Sequence, residues 1–522
     1  MGIPAYFSHI IKNHSNIIKN ISTLSNLHNL YLDCNSIIYD AYYGMDCNNK
    51  SIQQIENELI KSVCQKLHYY IDSLKPTDTT FIAFDGVAPV AKLEQQRTRR
   101  IKSEITNKII NKINNKTNPS KWSTVNITPG TEFMKKLGFE IKTYFKTKKL
   151  CKNIITSCSD EPGEGEHKLF QYIRNNIEYH KDKNTVIYGL DADLIMLSIN
   201  HLPIYKNIFL FRETPVFIKQ LDSSLDANKL YMINIPELAN QINLELNNYK
   251  TNSVNRVYDY ILLCFFLGND FMPHFPSINI RTNGIDILLD VYKTLFSNTE
   301  EVLYDNKKIV WKNIRKLIKL ISEEENNYLI NEHKKRDKNE KRFLPTSTPE
   351  EKENKLTNIP SFNRKKEKYI NPSEIGWQSR YYQILFDINK NNEERIKLIC
   401  NNYIEALEWT MKYYTIDCPD WRWKYNYDYA PLFEDLIKYI PYFDTTFIND
   451  KPINPVSDIT QLSYVLPFSC LHLLPQKNFK ILTNKYKDWY PENPDFKWYY
   501  CKYLWESHIE LPEIDLNILE NI

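Results

Sequence analysis

The sequence predicts a mixed α/β protein in which a largely parallel, twisted sheet is flanked by helices. Strand-like and helical stretches alternate between Leu30 and Lys293. Apolar, β-branched or aromatic runs end abruptly in a carboxylate, a pattern typical of buried parallel strands, as in LYLDCN, FIAFDGVAP and VIYGLDADLIML. In the C-terminal part, from about Asn371, a different pattern predicts mainly helix, as in ERIKLICNNYIEALEWTMKYY.

The composition divides the chain into three predicted segments. Residues 1–330 carry the alternating pattern and are expected to form the core. Residues 331–372 are rich in Lys, Glu, Asn and Pro and poor in apolar residues, which predicts a charged, mobile linker. Residues 373–522 are rich in aromatic residues and largely helical in pattern.

Several predicted strands end in aspartate. Asp33 ends the first of these strands, Asp85 ends the second, and Asp191 and Asp193 follow the third. Because ligands of open α/β sheets bind at the carboxyl ends of the strands, these side chains are expected to meet at one edge. A single aspartate at a strand end commonly serves only as a cap or turn. The repetition favours a functional site.

Three further acids lie in turn-like motifs. Glu164 and Glu166 belong to EPGEGEH, directly before a predicted helix, so helix capping and metal binding are both compatible with their positions. Asp270 ends the apolar run of FFLGNDFMPH. Two hard divalent cations need several carboxylate oxygens and can activate water for phosphodiester cleavage, so the set predicts two Mg²⁺ or Mn²⁺ ions. The predicted catalytic and metal-binding carboxylates are Asp33, Asp85, Glu164, Glu166, Asp191, Asp193 and Asp270.

A row of polar residues follows Asp85 in APVAKLEQQRTRRIKSEITNKIINKI. Lys92, Gln96, Arg99 and Arg100 share one face of the predicted helix. Such rows are more commonly solvated surfaces than sites. Because this one begins close to a candidate metal ligand, it also predicts a pocket for a terminal phosphate.

The overall composition is compatible with a cytosolic enzyme. The 522 residues have a formal net charge of +3, and no apolar run approaches the 18 residues of a membrane helix. The ten cysteines include no C-x-x-C pair, which indicates reduced thiols and gives no support to a zinc site. We expect no membrane association and no signal peptide.

Several motifs closely resemble the first conserved region of the Xrn/Rat family of 5′→3′ exoribonucleases. In chain order they are MGIPAYF, YLDCNSIIY, AFDGVAPVAKLEQQRTRR, NITPGTEFM, EPGEGEHKLFQYIR, YGLDADLIML and LCFFLGNDFMPHFPSINI. The motifs that resemble its second conserved region are GWQSRYYQILF, YIEALEWTMKYY, CPDWRWKYNYDYAP, PVSDITQLSYVLP and LPEIDLNILENI. The chain therefore resembles a minimal member that contains both regions.

The resemblance implies a fold and an activity. The fold would be a nuclease core like that of PIN and flap nucleases, with the second region packed on it and shaping the active-site entrance. The activity would be processive 5′→3′ degradation of single-stranded, 5′-monophosphorylated RNA to mononucleotides in RNA decay. The seven carboxylates would bind two Mg²⁺ or Mn²⁺ ions, and Lys92, Gln96, Arg99 and Arg100 would bind the 5′-phosphate.

The resemblance also implies a clamp for the terminal bases, since aromatic rings stack on bases of any sequence. Tyr39 stands where the family usually has His, and Trp421 is the expected opposing ring. Trp409 and Trp423 are alternatives to Trp421, and all three are equally compatible with a place in the core.

Two other functions stay open. A flap-type, structure-specific DNA nuclease shares the carboxylates and the metals, but the expected helix-hairpin-helix is not found in this sequence. An inactive scaffold that binds RNA ends has no physical need for clustered, costly carboxylates. We expect a monomer in the cytoplasm, with the nucleus as the alternative, and decapping or decay factors as protein partners.

Overall fold

A computed structural model describes residues 6–115, 122–189, 193–212, 229–250, 254–305, 307–358 and 363–522. Its central strands are β1 Ile18–Asn20, β2 Asn29–Asp33, β3 Thr79–Ala83, β4 Asn153–Ser157, β5 Thr185–Tyr188, β6 Ile208–Arg212 and β7 Tyr231–Asn234. They form a seven-stranded sheet in the order β1-β7-β6-β5-β2-β3-β4. Strands β2 to β6 pair in parallel, whereas β7 and β1 are antiparallel. The predicted mixed, largely parallel sheet is confirmed.

Helices surround this sheet and make up most of the C-terminal half. The first group is α1 Tyr6–Asn13, α2 Asn35–Tyr43, α3 Ile52–Leu74, α4 Val90–Ile113, α5 Glu132–Lys146, α6 Gly165–Asn175, α7 Ile177–His180, α8 Asp193–His201, α9 Ile235–Leu246, α10 Val257–Phe265 and α11 Gly284–Phe296. The second group is α12 Trp311–Glu340, α13 Pro349–Thr357, α14 Lys365–Ile370, α15 Trp377–Phe386, α16 Glu393–Thr415, α17 Phe433–Tyr439, α18 Asp458–Val465, α19 Gln476–Lys485 and α20 Leu516–Glu520. Two short hairpins pair β8 Tyr304–Asp305 with β9 Lys308–Ile309, and β10 Phe496–Lys497 with β11 His508–Ile509. No helix among the described residues has both the length and the apolarity to cross a membrane.

The central strands are apolar on both faces because helices cover both sides of the sheet. Side chains alternate between the faces along each strand. Tyr31 and Ile187 pack into one hydrophobic cluster, whereas Leu30, Leu32 and Val186 pack into the other. Because both faces of these strands are buried, their sequences are continuous apolar runs. Each run stops at the acidic residue that ends or follows the strand.

Residues 331–372 differ from the mobile linker that their composition predicts. The segment contains the end of α12, which crosses the predicted boundary at residue 330, together with α13 and α14. Arg336 donates two hydrogen bonds of 2.8 Å to Glu367, and Arg364 donates a third of 2.8 Å. All three side chains are buried. The charges that suggested a solvated segment therefore pair with one another.

The C-terminal part packs on α4, the helix that carries the predicted phosphate-binding residues. The backbone N–H of Val90 donates to the carbonyl of Trp421 at 2.9 Å. The buried guanidinium of Arg97 donates to the carbonyls of Pro512 and Trp489, both at 2.8 Å. These contacts fix the start of α4 against residues that lie far away in the sequence.

Candidate active site

Asp33 and Asp85 lie side by side at the carboxyl edge of the sheet. Asp33 is the last residue of β2 and pairs in register with Ala83 of β3. Asn35 donates to Asp85 Oδ2 at 2.5 Å, and the backbone N–H of Gly165 donates to Asp85 Oδ1 at 2.7 Å. A Cβ at position 165 would lie 2.5 Å from Asp33 Oδ1, so only glycine allows the start of α6 to come this close. Burial, together with the charge of Glu164, raises the pKa of Asp85.

Glu164 and Glu166 flank that glycine. Glu164 stands at the start of α6 without capping it through its side chain, and instead accepts a hydrogen bond of 2.8 Å from the hydroxyl of Tyr413. Glu166 is buried, and its Oε2 has no hydrogen-bond partner. Burial, with the nearby charges of Asp193 and Glu164, raises the pKa of Glu166 well above its ordinary value. Both glutamates therefore belong to the acidic cluster.

Lys92 joins two of the predicted metal ligands. Its Nζ lies 2.6 Å from Glu164 Oε1 and 2.6 Å from Asp270 Oδ2. Gln95 also donates to Asp270, at 3.2 Å. Burial opposes ionisation of Asp270, but nearby positive charge, with Lys92 as its largest source, outweighs the burial and lowers the pKa of this carboxyl. In this arrangement Lys92 lies with the acids, and its predicted contact with a phosphate stays a prediction.

The structure thus brings together six of the seven predicted carboxylates: Asp33, Asp85, Glu164, Glu166, Asp193 and Asp270. Asp191 lies outside the described residues. Within the described ranges, no three or more Asp, Glu, His or Cys side chains are already arranged so that together they could hold a metal ion. The donor set nevertheless suits hard divalent cations, because it consists of carboxylate oxygens and one of them, Glu166 Oε2, is buried without a partner.

Gln96 and Arg100 follow Lys92 on α4, and the charge of Arg100 interacts with that of Asp85. Gln96 is buried with no partner for its Oε1, and Arg100 Nε is also buried without one. Arg100 donates through its Nη1 to the Thr128 hydroxyl, which itself donates to the Val125 carbonyl at 2.6 Å. Burial lowers the pKa of Arg100 to about 10, so it remains a cation at neutral pH. Buried polar atoms without partners are uncommon and indicate a place for a ligand.

The predicted clamp residues have unequal access to a base. Tyr39 lies half-buried in α2. Trp409 is fully buried and donates through Nε1 to the Asp420 carbonyl at 2.9 Å, which makes it a core residue. Trp423 stacks on Trp409 with ring centroids 5.3 Å apart, and Trp421 is 8% exposed. Stacking of a base by Tyr39 and Trp421 stays a prediction.

Sequence reasoning did not find four residues that hold the site. Asn35 and Gln95 orient Asp85 and Asp270, Thr128 holds Arg100, and Tyr413 holds Glu164. All four stand inside motifs that resemble the family, so their polar character was a usable signal. The pairing of Tyr413 with Glu164 spans 249 positions of sequence, and no local pattern predicts it.

Two family models match this chain. The model of the XRN 5′-3′ exonuclease N-terminus matches residues 1–214. The model of the Xrn1 helical domain matches residues 250–372 and 364–521. The two matches leave residues 215–249 between them, and the predicted boundary near residue 330 stays a prediction.

Curated relatives are similar over most of this chain. The 5′-3′ exoribonuclease 2 of Arabidopsis thaliana is 27% identical over 93% of this chain and 61% of its own. The 5′-3′ exoribonuclease 1 of Saccharomyces cerevisiae is 26% identical over 91% of this chain and 40% of the yeast protein. The 5′-3′ exoribonuclease 1 of Schizosaccharomyces pombe is 26% identical over 99% of this chain and 48% of its own length. The chain spans about half the length of these relatives.

A solved structure of the catalytic core of Rad2 in complex with DNA substrate is also similar. The similarity covers 64% of this chain and 81% of the Rad2 chain, at 14% sequence identity and a TM-score of 0.31. The two family models, in contrast, account for most of the sequence. The chain belongs to the XRN family of 5′-3′ exonucleases.

Proposed function

We propose that this protein is a metal-dependent 5′→3′ exoribonuclease that degrades single-stranded, 5′-monophosphorylated RNA processively to mononucleotides. The observation that carries the proposal is the cluster of buried carboxylates beside unpartnered polar atoms of Gln96 and Arg100. The similarity to 5′-3′ exoribonucleases of Arabidopsis thaliana, Saccharomyces cerevisiae and Schizosaccharomyces pombe supports the same activity. A cytoplasmic location, a monomeric state and decay factors as partners belong to the same proposal.

The carboxylate cluster is proposed to hold two Mg²⁺ or Mn²⁺ ions. When bound, such ions activate a water molecule and offset the negative charge of the scissile phosphate. In the structure, Lys92 offsets the charge of Glu164 and Asp270. Asn35 and Tyr413 keep the carboxylates of Asp85 and Glu164 in fixed orientations.

End recognition is proposed to come from the cations of α4. Arg99 and Arg100 present guanidinium groups, which suit a phosphate because they donate several hydrogen bonds from a planar fork. Thr128 fixes one edge of Arg100 and leaves its Nε for the ligand. A pocket closed around one phosphate excludes capped and triphosphorylated ends.

Replacing Arg100 by Ala should lower the preference for 5′-monophosphate over 5′-hydroxyl RNA about tenfold or more, because a hydrogen bond to a charged group contributes about 1.5–3 kcal/mol. The measurement is the ratio of initial cleavage rates on the two substrates. Lys108→Ala is the control, since it removes an exposed cation from the same helix. An unchanged ratio in Arg100→Ala would remove this residue from the pocket.

Replacing Tyr413 by Phe should slow cleavage about tenfold and raise the Mg²⁺ concentration needed for half-maximal rate, because Glu164 loses a charge-assisted hydrogen bond. Tyr403→Phe is the matched control. Its hydroxyl is on the same helix but donates to the Pro273 carbonyl at 3.1 Å. Equal effects of the two substitutions on Mg²⁺ dependence would show that Tyr413 does not position the carboxylate.

The direct test is digestion of one single-stranded RNA and its DNA counterpart, each with a 5′-hydroxyl, 5′-monophosphate or 5′-triphosphate end, in Mg²⁺ or EDTA. Mg²⁺-dependent release of mononucleotides from the monophosphorylated RNA alone is the expected result. Internal cuts at a DNA flap would identify a structure-specific DNA nuclease. Tight RNA binding without any product would identify a binding scaffold.

A further inference from the structure

Lys168 is a buried cation beside the candidate active site. It lies on α6, two residues after Glu166, and is 7% exposed. Its Nζ donates to the carbonyl of Phe84 at 2.8 Å and to the carbonyl of Cys158 at 2.9 Å. Within the described part of the chain it forms no direct ion pair with a carboxylate, although burying a charge is costly unless that charge is well paired. The two carbonyls are therefore the groups through which this side chain acts.

These carbonyls belong to the ends of neighbouring strands. Phe84 directly follows β3, and Cys158 directly follows β4. Lys168 itself lies one helical turn after Glu164, and its backbone N–H donates to the Glu164 carbonyl at 3.0 Å. One ammonium group therefore joins the ends of two strands to the start of α6, the helix that carries the two glutamates of the acidic cluster.

The peptide unit between Phe84 and Asp85 is held on both of its polar sides. Its carbonyl accepts from Lys168, and its N–H donates to Asn35 Oδ1 at 3.1 Å. Because a peptide unit is planar, holding both its oxygen and its N–H fixes the plane from which the Asp85 side chain projects. Asn35 also donates to the carboxylate itself, whereas Lys168 donates to the backbone. Lys168 thus contributes to the orientation of Asp85 without a hydrogen bond to its carboxylate.

The chain around this contact is closely packed. The backbone N–H of Gly86 donates to the Gly163 carbonyl at 2.9 Å, and the N–H of Gly163 donates to the Val87 carbonyl at 2.7 Å. A Cβ at position 86 would lie 1.7 Å from the Glu161 carbonyl oxygen, and one at position 163 would lie 3.6 Å from Lys168 Cγ. The stem of Lys168 therefore packs against the loop that leads into α6, and its ammonium group meets carbonyls that have little freedom to move.

We propose that Lys168 is a positioning residue for metal binding, because its ammonium group holds Asp85 and the two glutamates of α6 in the arrangement that receives the divalent ions. This role rests on the proposed function, since the ions are those of the nuclease site. Groups that orient metal ligands commonly contribute about ten- to a hundredfold in metal affinity or activity. Lys168 differs from Lys92, which contacts the carboxylates of Glu164 and Asp270 directly.

A positioning role and a purely electrostatic role predict opposite effects on metal binding. A positive charge near the carboxylates repels a divalent ion, so removal of that charge alone should tighten metal binding. The charge of Lys168 does interact with that of Asp85. If Lys168 orients the carboxylates, its removal should instead weaken metal binding despite the loss of repulsion. The sign of the change therefore separates the two roles.

The test is titration of the full chain with Mn²⁺ in the absence of RNA, with free Mn²⁺ measured by electron paramagnetic resonance. Lys168→Met keeps most of the apolar stem and removes the donors, and it should weaken Mn²⁺ binding about tenfold. Lys102→Met is the matched control, because Lys102 is likewise buried and donates to two backbone carbonyls, those of Trp505 and Ser507. This control should bind Mn²⁺ as the wild type does.

Thermal unfolding in EDTA checks that both variants are folded, since each loses two buried hydrogen bonds and should be destabilised to a similar extent. If Lys168→Met does not fold, Lys168→Gln and Lys102→Gln replace the pair, because Gln keeps a hydrogen-bond donor. Unchanged or tighter Mn²⁺ binding by the folded Lys168 variant would overturn the proposal. Equally weakened binding by the Lys168 and Lys102 variants, or no saturable binding by the wild type, would also overturn it.

Cleavage assays separate this role from the proposed function. Lys168→Met should need about tenfold more Mg²⁺ for its half-maximal cleavage rate, with an unchanged KM for RNA. A wild type that cleaves no RNA, but binds Mn²⁺ more tightly than Lys168→Met does, would refute the nuclease and keep the positioning role. Mg²⁺-dependent cleavage by the wild type, together with unchanged Mn²⁺ binding by the variant, would do the reverse.

Discussion

Replacing Asp193 by Asn is expected to lower the rate of RNA cleavage by at least about a thousandfold while RNA binding persists. A metal ion contributes several kcal/mol of charge stabilisation in the transition state, and about 4 kcal/mol corresponds to about a thousandfold in rate. Asp193 is buried at the start of α8 and lies near Glu166. Its carboxylate therefore belongs to the group that would hold the ions.

The substitution should not unfold the protein. Asn has nearly the same size as Asp, so the packing at the start of α8 is kept. The charge of Asp193 contributes to the raised pKa of Glu166, and its removal relieves repulsion between the two acids in the metal-free protein. We expect the midpoint of thermal unfolding in EDTA to be unchanged or higher than that of the wild type.

Single-turnover cleavage and fluorescence anisotropy with a labelled RNA measure the two effects separately. Asp290→Asn is the matched control, because the Asp290 side chain is 73% exposed on α11 and belongs to none of the site motifs. The control should cleave at the wild-type rate. Undiminished cleavage by Asp193→Asn would contradict the metal assignment.

Much of the sheet and the acidic cluster could be predicted because both depend on local patterns. A buried parallel strand has a continuous apolar run, and the carboxylate that ends the run marks the sheet edge, as for Asp33 and Asp85. The four cationic and amide residues of α4 were placed on one face by helical spacing alone. Their partners were not predictable, since the contact of Lys92 with Asp270 spans 178 positions.

The same limit explains the difference over residues 331–372. Composition reports how many charges a segment has, but it does not report whether each charge meets an opposite one in the fold. Arg336 and Glu367 lie 31 positions apart, and their pairing depends on how α12 and α14 pack. In the fold these charges are buried and paired, so a segment whose composition suggests a solvated linker forms a buried network of ion pairs.

Replacing Glu367 by Ala is therefore expected to destabilise the protein by about 3–5 kcal/mol, the usual cost of leaving a buried ion without its partner. Burial alone would raise the pKa of Glu367, but Arg336 outweighs it and lowers the pKa to about 2, so the carboxylate is ionised at neutral pH. Its loss leaves the buried guanidinium groups of Arg336 and Arg364 short of acceptors.

Urea denaturation of Glu367→Ala and of Glu374→Ala measures this cost. Glu374 is an exposed residue close by, and its substitution should change the free energy of unfolding by no more than about 0.5 kcal/mol. Equally small changes in both variants would support a solvated linker after all. Glu367 also accepts from the backbone N–H of Tyr500 at 2.9 Å, and Arg336 donates to the Cys501 carbonyl at 2.9 Å. Glu367→Ala therefore also leaves the buried backbone N–H of Tyr500 without its acceptor, and this second loss adds to the cost of the unpaired guanidinium groups.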